Sequence, residues 1–298
     1  MQLHFIANAS VASASGRTIP VIDPSDGQPF DEIQRGTADD IDAAVHAARQ
    51  CYHAVWQKMA PADRGRLLQK LSAKILEHAD ELTALERRDC GKPTRQARAD
   101  ALALARYFEF YAGACDKLHG ETIPYPNGYS VLTWREPHGV TGHIIPWNYP
   151  MQIFGRSVGG ALAAGNVCVV KPAEDACLSL IRVAQLAAEV GFPSGALNIV
   201  TGYGHEVGDA LAVGRGGVAL AQRLREFGED AGGFFGDLAV VTVGAEAVGR
   251  CEQPAQFLQV FRRAGVLDAD GVHFRRGAGE MGVDVDQATV GDDEQRWV

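Results

Sequence analysis

The sequence predicts an α/β fold, and three observations carry that expectation. Between residues 140 and 213, short β-rich runs alternate with helical stretches. That alternation implies βαβ units and a parallel sheet. Between 37 and 118, apolar residues recur at spacings of three and four, the signature of amphipathic helices. Residues 1–35, with FIANASV and RTIPVIDPSDGQPF, read as extended segments, and Pro-Ser-Asp-Gly supplies a turn between them.

The elements follow in order. Thr37-Ala-Asp-Asp40 opens a helix as a capping box with Asp in the place of Glu, and that helix runs through DIDAAVHAARQCYHAVW before Pro61. A second helix opens at Pro61. Leu67, Leu71, Ile75, Leu82 and Leu85 form its single apolar stripe, and Gly91-Lys-Pro93 stops it. A third covers 95–118, with Leu102, Tyr107, Phe110 and Tyr111 expected in the core. The pattern then changes. Strands are expected at 129–134, 140–145, 167–170 and 196–200, with helices at 150–164, 177–190 and 206–213.

Composition bounds the function. Hydrophobic residues make up 46% and charged residues 22%, as in an ordinary water-soluble globular protein. The net charge of −9 argues against nucleic acid or an anionic membrane as the main partner. There is no apolar run of membrane-spanning length and no secretory signal pattern, so the expected compartment is the cytoplasm. Cys51, Cys90, Cys115, Cys168, Cys177 and Cys251 form neither CxxC pairs nor metal-spaced clusters. They read as free thiols in a reducing compartment, with no metal site.

Residues 214–298 differ from the rest. They contain no Lys, Ser, Asn, Ile or Tyr, and Gly, Ala, Val, Asp and Glu supply 52 of the 85 positions. Those five residues share G as first codon base, so the tail resembles GC-rich DNA read in a shifted or antisense frame. The alternative is a genuine acidic domain rich in Gly and Ala. The chain is therefore divided at 213, with a poorly folded tail expected after it.

Three segments carry chemistry. Pro146-Trp-Asn148 lies between a strand and a helix. Its side-chain amide either caps that helix or donates a hydrogen bond to a carbonyl oxygen becoming an oxyanion. Val169-Val-Lys-Pro-Ala-Glu174 places Lys171 and Glu174 just past a buried strand. They form either a solvated pair or a grip on a nucleotide at the carboxyl end of a parallel sheet. Gly202-Tyr-Gly204-His-Glu-Val-Gly208 resembles a phosphate-cradling loop, with one residue too many before its last glycine.

In order and spacing, GVTGHIIPWNYP, GGALAAGNVCVVKPAE and GFPSGALNIVTGYGHEVG resemble the aldehyde dehydrogenase superfamily. Upstream, RGRLLQKLSAKIL, LERRDCGKP, RYFEFYAGACDKLHGETIP and WREPHGV resemble its N-terminal half, so the likeness covers about 1–213. The fold so implied is an incomplete Rossmann-type cofactor-binding domain with N-terminal helices and oligomerisation strands. The resemblance makes Asn148 the oxyanion amide and sets Ile145, Pro146 and Trp147 along the nicotinamide. It puts Lys171 and Glu174 on the adenine ribose, and Gly204 and Gly208 by the adenine and pyrophosphate. Glu174 favours NAD over NADP, because a 2′-phosphate would face a carboxylate. Arg156, eight residues after Asn148, lies on the helix that walls the aldehyde tunnel in this family. It is either structural or a grip on the carboxylate of a semialdehyde. Family members are homo-oligomers acting on small aldehydes.

The same family continues with segments like FTGS, ELGGK and GQxC, which supply a pyrophosphate cover, a general-base Glu and a nucleophilic Cys. None follows Val213. Glu246, in VGAEAVG, and Cys251, in GRCEQP, are stand-ins without the family's context. The expected product is therefore an inactive chain of aldehyde dehydrogenase ancestry. The alternative is a non-catalytic module that binds nucleotide or pairs with intact subunits.

Overall fold

A computed structural model describes residues 1–126 and 128–212, together with the backbone of three short strands at 219–220, 273–277 and 280–284. The chain opens with β1 (His4–Ile6), β2 (Ala9–Val11), β3 (Thr18–Ile22) and β4 (Pro29–Gln34). Four helices follow: α1 (Ala38–Ala54), α2 (Pro61–Glu77), α3 (Ala79–Cys90) and α4 (Thr94–Ala114). A small hairpin of β5 (Thr122–Ile123) and β6 (Val131–Leu132) leads into β7 (Val140–Ile145), α5 (Pro150–Ala163), β8 (Val167–Pro172), α6 (Leu178–Glu189) and β9 (Leu197–Ile199). A π-helical turn at Gly204–Gly208, α7 (Asp209–Ala212) and β10 (Ala219–Leu220) end the described part of the first unit, Met1–Thr242. In the second unit, Val243–Val298, the described backbone is an antiparallel hairpin of β11 (His273–Gly277) and β12 (Glu280–Asp284). The remainder of the tail, including Glu246 and Cys251, lies outside the described residues.

The main sheet has the order β10-β7-β8-β9-β1-β2. The strands β10, β7, β8 and β9 are parallel, and β1 joins β9 antiparallel with Phe5 opposite Ile199. Every residue of β8 is buried, as expected of a central strand covered on both faces. The β1–β2 turn holds Ala7 and Asn8 at φ 53° and 61°. Tertiary bonds keep Ala7 in this unfavourable conformation: its N–H donates to Asn198 Oδ1 at 3.0 Å and its carbonyl accepts from Ser194 Oγ at 2.7 Å.

The N-terminus of α1 forms as its sequence predicts, with Thr37 and Asp40 bonding reciprocally. Elsewhere the structure corrects the sequence reading. The single helix expected from Pro61 is two, broken at His78, where φ −102° and ψ 16° leave the helical region. The apolar stripe stays in phase across the break. Leu71, Ile75 and Leu82 are all fully buried, so periodicity alone cannot reveal it.

On α4, Leu102 and Phe110 are exposed and Tyr107 and Tyr111 only half-buried. The core face is Ala97, Ala101, Leu104, Ala105 and Phe108. Beside that face, glycines of α5 make room for two of the tyrosine rings. A Cβ on Gly155 or Gly159 of α5 would meet the Tyr107 or Tyr111 ring at 2.9 or 2.8 Å. The strand expected at 129–134 shrinks to β6. The helix expected at 206–213 begins instead as the π-turn at Gly204.

Candidate functional site

The parallel strands bring three loops to one edge. Ile144 pairs with Lys171, Ile145 with Pro172 and Val170 with Ile199, so β7, β8 and β9 end side by side. The three segments singled out in the sequence leave from these carboxyl ends, where parallel sheets bind nucleotides.

At the end of β8, Lys171 is 3% exposed and donates from Nζ to Glu174 Oε2 at 2.6 Å. Lys171 is thus withdrawn from solvent, while the Glu174 side chain is 27% exposed. Burial pushes the Glu174 carboxyl up, but the bonds from Lys171 and the backbone, including the N–H of Gly204, outweigh it and hold its pKa below the usual value. After β9, Gly202 takes φ +149°, and a Cβ there would lie 2.5 Å from Val207 Cγ2. Gly204 and Gly208 differ: a Cβ on either would meet nothing within 4 Å. Of the two, Gly204 is exposed and Gly208 buried, so the turn can be approached at Gly204, as a phosphate seeking N–H groups requires.

After β7, Ile145 is buried, Pro146 half-buried, and Trp147 and Asn148 exposed. The helix cap is Tyr149, without a side-chain cap bond. Asn148 Oδ1 accepts the Tyr149 N–H at 3.1 Å, and its Nδ2 amide takes no partner among the described residues. The capping role left open by the sequence is not what this side chain performs. A free amide donor remains.

Within β7, His143 lies fully buried between Ser157 Oγ at 2.6 Å and Thr141 Oγ1 at 2.9 Å. Burial depresses its pKa to about 3, so the ring is neutral and structural. Thr141 donates to the Val167 carbonyl at 3.1 Å. Its oxygen must then accept from Nε2–H, leaving Nδ1 to accept from Ser157.

The sequence reading missed a polar chain beneath α5. Lys92 Nζ donates to Glu86 Oε1 at 2.7 Å and to Asp100 Oδ2 at 2.6 Å, and both carboxylates are fully buried. Gln152 Nε2 donates to Asp100 Oδ1 at 2.6 Å, and Ser179 Oγ to Glu86 Oε2 at 3.0 Å. Lys92 also lies 4.5 Å over the Tyr149 ring, next to Asn148. Arg156 is exposed, with Nε donating to the Tyr107 hydroxyl and Nη2 to Gln152 Oε1, each at 2.8 Å. The GKP segment is visible in the sequence, but the two carboxylates that its lysine binds, on α3 and α4, are not.

No described cysteine is an activated thiol. Burial raises Cys51 to about 11 and Cys168 to about 12, and also raises Cys90, Cys115 and Cys177. Among the described residues, no group of three or more His, Cys, Asp or Glu could hold a metal, and no helix is long and apolar enough to cross a membrane.

The family model for the aldehyde dehydrogenase family matches residues 11–218. The chain belongs to the aldehyde dehydrogenase family. Hydroxyisobutyraldehyde dehydrogenase of Mycolicibacterium austroafricanum is 46% identical over 210 residues, which is 70% of this chain and 42% of that protein. Retinal dehydrogenase 2 of Homo sapiens is 42% identical over 211 residues, 70% of this chain and 41% of its own length. Among solved structures, a Burkholderia cenocepacia protein described as an aldehyde dehydrogenase superposes with TM-score 0.69 at 70% identity, covering 70% of this chain and 44% of that one. An aldehyde dehydrogenase from Bacillus cereus, solved as its NAD complex, gives TM-score 0.68 at 40% identity, over 70% of this chain and 43% of its own. The chain thus spans less than half the length of these aldehyde dehydrogenases, and its six-stranded sheet is part of their Rossmann-like sheet.

Proposed function

We propose that residues 1–213 are the cofactor-binding part of an NAD-dependent aldehyde dehydrogenase, and that this chain does not itself oxidise aldehydes. One observation carries the binding half of the reading. The pair of buried Lys171 and half-buried Glu174 and the exposed Gly204 of the glycine-rich turn lie at adjacent carboxyl ends of the parallel strands. Lys171 and Glu174 would hold the adenine ribose, Gly204 and Gly208 would lie by the adenine and pyrophosphate, and Ile145, Pro146 and Trp147 would flank the nicotinamide. When bound, the dinucleotide supplies the hydride acceptor. The protein's own contribution there is the Asn148 amide, free to donate to an aldehyde oxygen as it gains charge.

Oxidation also needs a thiolate to attack the carbonyl and a base to activate water. The segments that would provide them are absent from the 298 residues, and of the described thiols four are buried and Cys90 is half-buried. A dehydrogenase assay tests the inactive half of the reading. We expect no NADH above background. NADH formation abolished by Cys251→Ala would overturn it.

Arg156 points the substrate reading toward an aldehyde with a distal carboxylate, since its guanidinium is exposed on α5 and braced by Tyr107. A second reading, pairing with an intact subunit, is favoured by the exposed Tyr125, Tyr129, Leu132 and Trp134 around the β5–β6 hairpin. Co-purification with a full-length relative would support it.

A further inference from the structure

The glycine-rich turn of the proposed site is gripped from the opposite end of the sequence. Arg35, just past β4, binds Glu206 with Nε 2.8 and 3.2 Å from the two carboxylate oxygens and Nη2 2.6 Å from one of them. Arg17 approaches the same carboxylate at 4.0 Å. The Arg35 guanidinium also lies 4.9 Å over the Tyr203 ring, and Tyr203 stacks on His205 at 5.6 Å. The next residue, Gly36, donates its N–H to the Thr201 carbonyl at 3.0 Å. It has no room for a side chain, because a Cβ would lie 2.5 Å from that oxygen and 3.1 Å from Val207. Arg35, Tyr203, His205 and Glu206 thus clamp one side of the turn.

A π-turn is an uncommon form of helix, found where its surroundings impose it. Here the imposing contacts are a bidentate ion pair and a cation–π contact from a segment about 170 residues upstream, and among the described residues a Cβ on Gly204 or Gly208 would meet nothing within 4 Å. We propose that Arg35 is a positioning residue for the nucleotide loop: its grip on Glu206 holds the Gly204–Gly208 turn in register with Glu174, so that the N-terminal strands set dinucleotide affinity. This rests on the reading of that loop as the NAD site. Arg35 touches no nucleotide. It fixes the backbone that would.

The test uses the full chain, with two readouts. Amide hydrogen exchange of residues 201–212, followed by mass spectrometry without nucleotide, reports the turn itself. Calorimetry with NAD reports the consequence. Arg35→Met should accelerate exchange at 201–212, leave α4 at the wild-type rate, and weaken NAD binding about 10-fold, within the range typical of positioning contacts. The swapped pair Arg35→Glu with Glu206→Arg should restore most of both, since it rebuilds the ion pair, whereas a merely space-filling role would not be rescued. Wild-type exchange at 201–212 in Arg35→Met would overturn the proposal, as would unchanged NAD affinity beside faster exchange. If the wild-type chain bound no NAD, the reading of the loop would fall, and the exchange experiment would still decide whether Arg35 holds the turn. If Arg35→Met loosened α4 as well, Glu206→Gln would take its place, since it removes the charge at almost constant volume, with the same two readouts and the same expected changes.

Discussion

Lys171 and Glu174 form one closed unit, with the ammonium 2.6 Å from the carboxylate at the end of a fully buried strand. The carboxylate is ionised at neutral pH, its pKa held low despite burial. A 2′-phosphate on the ribose would meet that charge, and like charges brought together cost several kcal/mol. The chain should therefore bind NAD more tightly than NADP, and Glu174→Gln should raise NADP affinity by about 10-fold or more. Calorimetric titration of both dinucleotides checks this. Wild-type binding of NADP at least as tight as NAD would remove Glu174 from the ribose.

Asp89 gives the folded chain a proton that the unfolded chain lacks. Its Oδ2 accepts the Leu178 N–H at 2.7 Å, at the start of α6, while buried Oδ1 has no partner among the described residues. Burial, with Glu86 and Asp175 nearby, pushes its pKa to about 7. An unfolded aspartate titrates near ~3.9. The folded pKa is the higher one, so the folded state binds the proton more tightly, and stability is lost as pH rises from ~4 to ~7. The linked loss is on the order of 4 kcal/mol at most. Glu86, also raised by burial, adds to it in the same direction. Asp89→Asn should flatten the fall of Tm across this range and leave the shallower contribution of Glu86. An identical pH profile in the variant would refute the assignment.

The strands β7, β8 and β9 and the helices α5 and α6 are legible in the sequence because short β-rich runs alternate there with helical stretches between turn residues. Lys171, Glu174 and Asn148 are legible because a parallel sheet puts strand ends together, so order along the chain becomes proximity in space. The interior of α4 is not legible. Its buried face is alanine-rich, while glycines of α5 make room for the Tyr107 and Tyr111 rings beside that face, and a rule that sends large residues inward misplaces Leu102 and Phe110. Arg35 is invisible for a different reason: nothing local in the sequence marks an arginine whose partner lies 171 positions away.

Among the described residues, Lys92 is the cation that faces two carboxylates wholly removed from solvent, Glu86 and Asp100. Removing one member of a buried ion cluster costs more than forming it gains, because the remaining charges cannot be hydrated. Lys92→Met should destabilise the body by about 3–5 kcal/mol. The loss should be smaller in Lys92→Met combined with Glu86→Gln and Asp100→Asn, because neutral amides do not need the ammonium. Chemical denaturation of the single and triple variants gives the two numbers. Equal destabilisation in both would mean that Lys92 contributes packing and not charge.

Arg156 decides the substrate reading. It lies on α5, eight residues after Asn148, which immediately precedes the helix cap Tyr149, and both side chains are exposed. Two of its nitrogens are engaged by Tyr107 and Gln152, and Gln152 is in turn tied to Asp100. The guanidinium is thus braced from one side and exposed on the other, as a carboxylate receptor must be. Joining residues 1–213 to the C-terminal half of a close relative would supply the missing thiol and base. That enzyme should prefer an aldehyde with a distal carboxylate, since a charge-assisted bond from arginine contributes about 1.5–3 kcal/mol. Arg156→Ala should lower kcat/KM for a short semialdehyde by about 10- to 100-fold and leave hexanal or benzaldehyde nearly unchanged. Tyr107→Phe, which keeps the ring and removes the hydroxyl brace, should show the same selectivity at smaller size. An equal loss on charged and neutral aldehydes would make Arg156 a structural residue and withdraw the semialdehyde.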